Sequence, residues 1–247
     1  MRVLVIDIGG TNVKVWTGAD EVAWKIETGP TFTPQKLADE VAEHAQASQY
    51  DAISIGYPGK LIGGRPVRDP FALGPGWVDF DYAAHFIKPL RMMNDAAMQA
   101  LGAYTGGRML FLGLGTCVGS TLIVDNVVIP LELGAIPHPF GKTLEERLER
   151  KSLEKRGLER WQECVLAAVP PLQDAFMVDY VVLGGGNAKK LKGDLPEGIR
   201  LGGNHDAHRG GHLLWESSEL HTGHIYDRSI ATIAPEPTAG DRINLAS

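Results

Sequence analysis

The sequence predicts an α/β protein of two related lobes, and three observations predict it. Short apolar runs of strand length alternate along the chain with stretches of helical periodicity. A glycine- and threonine-bearing hairpin near the start, Asp7-Ile8-Gly9-Gly10-Thr11, has a counterpart near the middle, Gly113-Leu114-Gly115-Thr116. The 247 residues, 44% of them hydrophobic, suffice for one large core or two modest ones. The lobes are expected to comprise residues 1–106 and 107–247.

Taken in order, Arg2 to Ile8, Val13 to Thr17 and Glu21 to Glu27 read as three strands of an antiparallel meander. A helix is expected from Thr33 to Ala47, with Thr33 as N-cap, Pro34 in the first turn and Leu37, Val41, His44 and Ala45 on one stripe. Ala52 to Gly56 is short and almost wholly apolar, the pattern of a strand buried on both faces. Lys60 to Trp77 is rich in Gly and Pro and reads as loop or short hairpin. A helix over Asp79 to Ile87 and a strand over Leu90 to Met93 follow. The helix from Ala96 to Tyr104 ends before Gly106-Gly107.

In the second half, Met109 to Leu112, Gly119 to Val124 and Val127 to Leu131 are strands. Thr143 to Arg156 is a charged helix, and Leu158 to Met177 another that Pro170-Pro171 should break or kink. Tyr180 to Leu183 is a strand running into Gly184-Gly185-Gly186. Beyond Lys192 the pattern turns irregular, with a last helix near Leu213 to Trp215 and a loosely ordered tail from Pro235.

A net charge of −6 argues against general affinity for nucleic acid or an anionic membrane, so any polyanion site must be local. Cys117 and Cys164 form neither a disulfide framework nor a metal cluster. No apolar run reaches membrane-spanning length and the chain opens directly on a strand pattern, so a cytoplasmic protein is expected.

The opening hairpin reads as a phosphate grip. Its glycines permit a tight turn whose amides can approach a polyanion, Thr11 adds a hydroxyl, and Asp7 at the strand end is placed to hold Mg2+ beside phosphates. The same residues also fit an ordinary hairpin with a Gly-Gly turn. Two better-known phosphate motifs fail on spacing. Gly113-Leu114-Gly115 has its third glycine, Gly119, one place late and runs into a strand, which excludes a dinucleotide fingerprint. Phe140-Gly141-Lys142-Thr143 lacks both the correctly placed glycine and the preceding strand of a P-loop.

The order of the remaining parts, the acidic Gly-Gly-Thr hairpin, strand-terminal Asn94-Asp95, the second Gly-rich hairpin and the triple glycine, resembles the sugar kinases of the ROK family. Within it the polyphosphate-type glucokinases are the nearest pattern, over roughly residues 2–216. The resemblance implies a ribonuclease-H-like, actin-like ATPase fold with the active-site cleft between the lobes. It places Asp7, Gly9, Gly10, Thr11 and Lys14 in the first phosphate loop, Gly113, Gly115, Thr116 and Gly119 in the second, and Gly184, Gly185 and Gly186 beside the donor. Asn94 and Asp95 would bind the sugar, with Gly59 nearby, and Asp95 would be the general base; Glu132 would accept hydrogen bonds from ring hydroxyls. Mg2+ and ATP or inorganic polyphosphate are the implied cofactors, a small sugar the partner, and a homodimer a common family state. As an alternative, Asp95 is an N-cap for the helix that follows.

Three departures stand out. Ala135 occupies the place of the family's histidine after Glu132-Leu133-Gly134, with His138 as a possible substitute or simply a loop residue. The cysteine-rich zinc motif is absent, so no structural zinc is expected. The loop before Trp77 lacks the asparagine that reaches the sugar. The basic residues from Lys142 to Arg160, with Lys189, Lys190 and Lys192, either guide polyphosphate or, being interleaved with Glu145, Glu146, Glu149, Glu154 and Glu159, form a solvated helix face. His205, His208 and His212 have metal-like spacing, but the neighbouring glycines Gly202, Gly203, Gly210 and Gly211 argue against a rigid helix there.

Overall fold

The computed structural model describes residues 1–17, 23–203, 205–216 and 232–233. The opening meander is β1 (Val3–Ile8), β2 (Asn12–Thr17) and β3 (Trp24–Glu27), followed by α1 (Pro34–His44) and β4 (Ala52–Tyr57). A small hairpin, β5 (Leu61–Ile62) and β6 (Arg65–Pro66), and one turn of helix, α2 (Tyr82–His85), precede β7 (Leu90–Asn94) and α3 (Asp95–Ala103). The second meander is β8 (Arg108–Leu114), β9 (Val118–Val124) and β10 (Val127–Leu131). Helices α4 (Leu144–Leu148), α5 (Arg150–Arg156) and α6 (Leu158–Phe176) lead to β11 (Tyr180–Gly184), β12 (Ile199–Leu201), α7 (Asp206–Glu216) and β13 (Thr232–Ile233).

Two sheets share a five-strand plan, the first of them carrying β13 in addition. The first sheet has the order β13-β7-β4-β1-β2-β3 and the second β10-β9-β8-β11-β12. In each, the first strand of an antiparallel meander pairs on its other side with a parallel strand: β1 with β4, and β8 with β11. Every residue of β1 and β4 is buried, as an unalternating apolar run requires.

Period-two alternation sorts these side chains into layers. Leu4, Ile6 and Ile8 join Leu37 and Val41 of α1 in an outer core, and Leu110, Leu112 and Leu114 join Trp161, Val165 and Val169 of α6 in another. Val3, Val5, Met109 and Phe111 face a third core between the sheets, filled by α3 and α7. Asp7 continues the parity of Val3 and Val5, so strand geometry alone turns it toward the inner layer.

Helices α3 and α7 cross with their backbones nearly touching. A Cβ at Gly210 would lie 1.8 Å from the Met98 carbonyl oxygen, and one at Gly102 1.8 Å from that of Asp206. The glycines expected to preclude a helix near His208 are therefore what allows α7 to pack there. Ser54 Oγ donates to the Gly211 carbonyl at 2.6 Å and Trp215 Nε1 to Ser54 Oγ at 2.9 Å, which fixes α7 against β4.

Other expectations are corrected locally. Pro170 and Pro171 leave α6 continuous; both are exposed, so water can satisfy the carbonyls they free. The helix expected over 79–87 shrinks to α2, where Asp81 caps Ala84. The charged helix expected over 143–156 is broken at Glu149, whose extended backbone separates α4 from α5. Residues 21 and 22 of the third expected strand and the tail from Pro235 lie outside the described residues. No helix among the described residues is long and apolar enough to cross a membrane.

Candidate active site

The site forms where the C-terminal ends of β1, β4 and β7 meet the inner layer. Registers set Asp7 abreast of Lys14 on β2 and Gly56 on β4, and Gly56 abreast of Met93 on β7. Gly56 leaves room at this point: a Cβ there would lie 2.5 Å from Met98 Cε and 3.3 Å from Asp95 Cα, and would touch Asp7 Oδ1 at 3.4 Å. Its signal in the sequence was a glycine inside an otherwise apolar strand, which marks close approach.

Asp7 is buried, with Lys14 Nζ 3.8 Å from Oδ2 and no hydrogen-bond partner for Oδ1. Burial pushes its carboxyl above the usual range, while Lys14 and a hydrogen bond with Gln99 pull the other way. Asn94 is the N-cap of α3: its Oδ1 accepts from the Ala97 amide at 3.1 Å, and its Nδ2 donates to the Gly59 carbonyl at 3.3 Å. Asp95, the alternative cap, is instead the first helical residue, so its carboxylate is not used for capping. Burial, then the charge of Asp7, raises Asp95 to about 8, against the opposing pull of helix-terminal amides.

The two glycine-rich turns meet. Thr11 Oγ1 and Thr116 Oγ1 are 3.1 Å apart, and Thr28 Oγ1 donates to the Gly9 carbonyl at 3.0 Å, steadying the first turn. Gly10 lies so close to Thr116 that a Cβ would be 3.5 Å from the threonine Cβ. Gly119 abuts α3, where a Cβ would be 2.6 Å from that of Ala96. The triple glycine packs on the second turn: Gly185 has φ +79°, and a Cβ there would meet Leu114 backbone at 2.8 Å. Gly184 lies on the Phe111 ring, while Gly186 faces open space, and the Asn187 amide donates to the Leu114 carbonyl at 2.9 Å. Arg150, at the start of α5, reaches this junction with Nη1 2.9 Å from Thr11 Oγ1.

Glu132 follows β10 and is exposed; partial desolvation and then Glu145 raise its carboxyl, opposed by Arg68. Its charge in turn contributes to the elevation of Asp95. Glu145 Oε2 accepts from the Val118 amide at 2.8 Å; loss of solvent, then Glu145 and Glu149, lift the Cys117 thiol to about 12. Gln99, Arg68, Glu145 and Asn187 carried no sequence signal, since each reaches the site only through packing.

Of the two readings of His138, its contacts are those of the loop residue. It is 3% exposed, its Nδ1 accepts from the Phe140 amide at 2.9 Å, and its Nε2 donates to the Cys164 carbonyl at 2.8 Å, so both ring nitrogens serve the loop. Burial lowers its pKa, in keeping with that neutral tautomer. His208 stacks on Trp16 at 5.5 Å and its Nε2 is 3.1 Å from that of His212. Among the described residues no group of three or more His, Cys, Asp or Glu is arranged to hold a metal. Along the charged segment, Lys142 pairs with Glu146 at 3.5 Å and Arg150 with Glu154 at 3.6 Å, the i,i+4 pattern of a solvated face.

No protein-family model matches the chain. In sequence it is 26% identical over 214 residues to the polyphosphate glucokinase of Mycobacterium tuberculosis, covering 75% of this chain and 77% of that one. In structure it resembles the inorganic polyphosphate/ATP-glucomannokinase of Arthrobacter sp. strain KM, with a TM-score of 0.70, 23% identity and coverage of 86% of this chain and 97% of that one. It also resembles a ROK family glucokinase from Streptomyces griseus solved with glucose and AMPPNP, with a TM-score of 0.65, 16% identity and coverage of 87% and 99%. The fold is thus that of the ROK sugar kinases, an actin-like ATPase fold.

Proposed function

We propose, taking as premise that this chain is a homologue of polyphosphate glucokinase with the fold of the ROK-family sugar kinases, that it transfers a phosphoryl group from ATP or polyphosphate to the primary hydroxyl of a hexose, glucose in particular. The observations that carry the reading are the Asp95 carboxyl at the start of α3, raised to about 8 by loss of solvent and by Asp7, and the meeting of the two Gly/Thr turns at Thr11 and Thr116.

Asp95 takes the proton from the attacking hydroxyl, and a base titrating near neutrality is suited to that task. Glu132, in contact with the same field, accepts hydrogen bonds from ring hydroxyls, and Asn94 holds the Gly59 loop against the sugar side. The two turns receive the donor phosphates on main-chain amides and threonine hydroxyls. The orphaned Asp7 Oδ1 fits a divalent cation that keeps most of its ligands as water and phosphate, with Lys14 balancing the other oxygen. Mg2+ there would neutralise charge on the donor phosphates. Closure of lobes divided near residues 106 and 107 would exclude water as a competing acceptor. A cytoplasmic setting suits the two free cysteines.

The test is a coupled sugar-phosphorylation assay with glucose and Mg2+, run in parallel with ATP and polyphosphate, with Asp95→Asn as control. Turnover that depends on Asp95 is the expected result. Absence of turnover with both donors, or an Asp95→Asn variant as active as the wild type, overturns the reading.

A further inference from the structure

Arg150 is distinguished from the other basic residues of its segment by where the chain break puts it. Glu149 is extended, at φ −62° and ψ 165°, and this turns α5 so that the Arg150 amide donates to the Gly115 carbonyl at 3.0 Å. The backbone is thereby tied to the second phosphate turn while the guanidinium reaches the first, with Nη1 2.9 Å from Thr11 Oγ1. That hydroxyl is itself 3.1 Å from Thr116 Oγ1, so one cation touches the seam between the turns.

The charge is poorly compensated there. Nε is buried without a hydrogen-bond partner, and its nearest ion-pair oxygen, Glu154 Oε1, stands at 3.6 Å, beyond hydrogen-bond reach. A threonine hydroxyl is a weak partner for a guanidinium, whereas a phosphate oxyanion matches its fork and charge. The side chain as a whole is 39% exposed, hence reachable from solvent.

We propose that Arg150 is the donor-phosphate cation of this site, held between the turns by Thr11 until a phosphoanhydride oxygen displaces the hydroxyl. The ligand is a chain of at least two linked phosphates, as a polyphosphate or a nucleoside triphosphate. The inference rests on the kinase reading for the identity of the anion, and its geometry stands apart from the sugar side.

Isothermal titration of the full chain with tripolyphosphate and with ATP, each with Mg2+ and without sugar, tests it. Arg150→Gln is expected to weaken binding about tenfold or more, whereas Lys155→Gln, an exposed cation of the same helix, binds as the wild type. Equal losses in both variants would mean diffuse attraction and overturn the proposal, as would unchanged affinity in Arg150→Gln or no binding of either probe by the wild type. A larger loss for one probe identifies the source of the phosphates. Should Arg150→Gln fail to fold, phenylglyoxal labelling of wild-type Arg150 decides: protection by a bound probe supports the contact, and unaltered labelling overturns it. Sugar phosphorylation by the wild type with an unchanged donor KM in Arg150→Gln defeats this inference alone. Arg150-dependent phosphate binding without any sugar turnover defeats the kinase reading and leaves the inference intact.

Discussion

Asp95 illustrates how much one residue's surroundings decide. Its carboxyl is lifted by burial and by Asp7, so roughly a tenth of it is ionised at pH 7 if it titrates near 8. In the proposed reaction the ionised form is the base, so the acceptor kcat/KM should rise with pH through an apparent pKa far above that of a free aspartate and level off above pH 8. A pH profile that is flat above pH 5 would contradict this. Asp95→Asn should lower kcat by about 10²–10⁴ while leaving the circular dichroism spectrum unchanged. Gly56 acts by absence. Alanine there would displace the Met98 side chain, whose Cε lies 2.5 Å away, and crowd the Asp95 backbone at 3.3 Å, so Gly56→Ala should lower kcat about tenfold with the fold retained, as steady-state kinetics beside a melting curve would show.

At the scale of elements, the α3–α7 crossing positions the Asp95 carboxyl. Helix α3 begins at Asp95, and α7 braces it from the opposite side through glycine contacts shorter than any side chain allows. Gly210→Ala would force the helices apart against the 1.8 Å approach to the Met98 carbonyl, costing about 3 kcal/mol in urea unfolding. An unchanged midpoint would show that the crossing yields freely. The break between α4 and α5 has a similar logic, since a continuous helix would keep the Arg150 amide in its own hydrogen-bond ladder instead of lending it to Gly115.

Across the whole molecule, the two sheets enclose a layer of helix contributed from both halves of the chain. Helix α7, late in sequence, docks on β1 and β4, and β13 pairs antiparallel with β7. The acidic groups whose carboxyls are raised contribute to the pH response of the fold. Asp7, Asp95 and Glu132 all have folded pKa values above their unfolded ones, so the native state binds more protons between roughly pH 4 and 8. Stability contributed by these groups is therefore full below the unfolded carboxylate range and declines as pH rises toward 8. Asp95→Asn should melt higher than the wild type at pH 8, with the gain shrinking toward pH 4; a gain that grows on acidification would reverse the sign argument.

Much of this was legible in local pattern. The strands of both meanders, the helix at Thr33, the two Gly/Thr turns and the position of Asp95 at a strand end follow from periodicity and turn chemistry, which depend on neighbours in sequence. The misreadings came from the same source. Glycines near His208 looked like helix breakers and Pro170-Pro171 like a stop, because propensity counts only the local cost and packing supplied the rest. His138 looked available until two loop contacts consumed its nitrogens. By itself, then, the sequence determined most of the elements, their order and the residue types of the two Gly/Thr turns and of the strand-end Asn94-Asp95. Only the tertiary structure decided that Asp7 and Asp95 share one electrostatic field, that Gly56 leaves them room, and that Arg150 reaches Thr11, since burial and distance between residues remote in sequence exist only once the sheets have closed on α3 and α7.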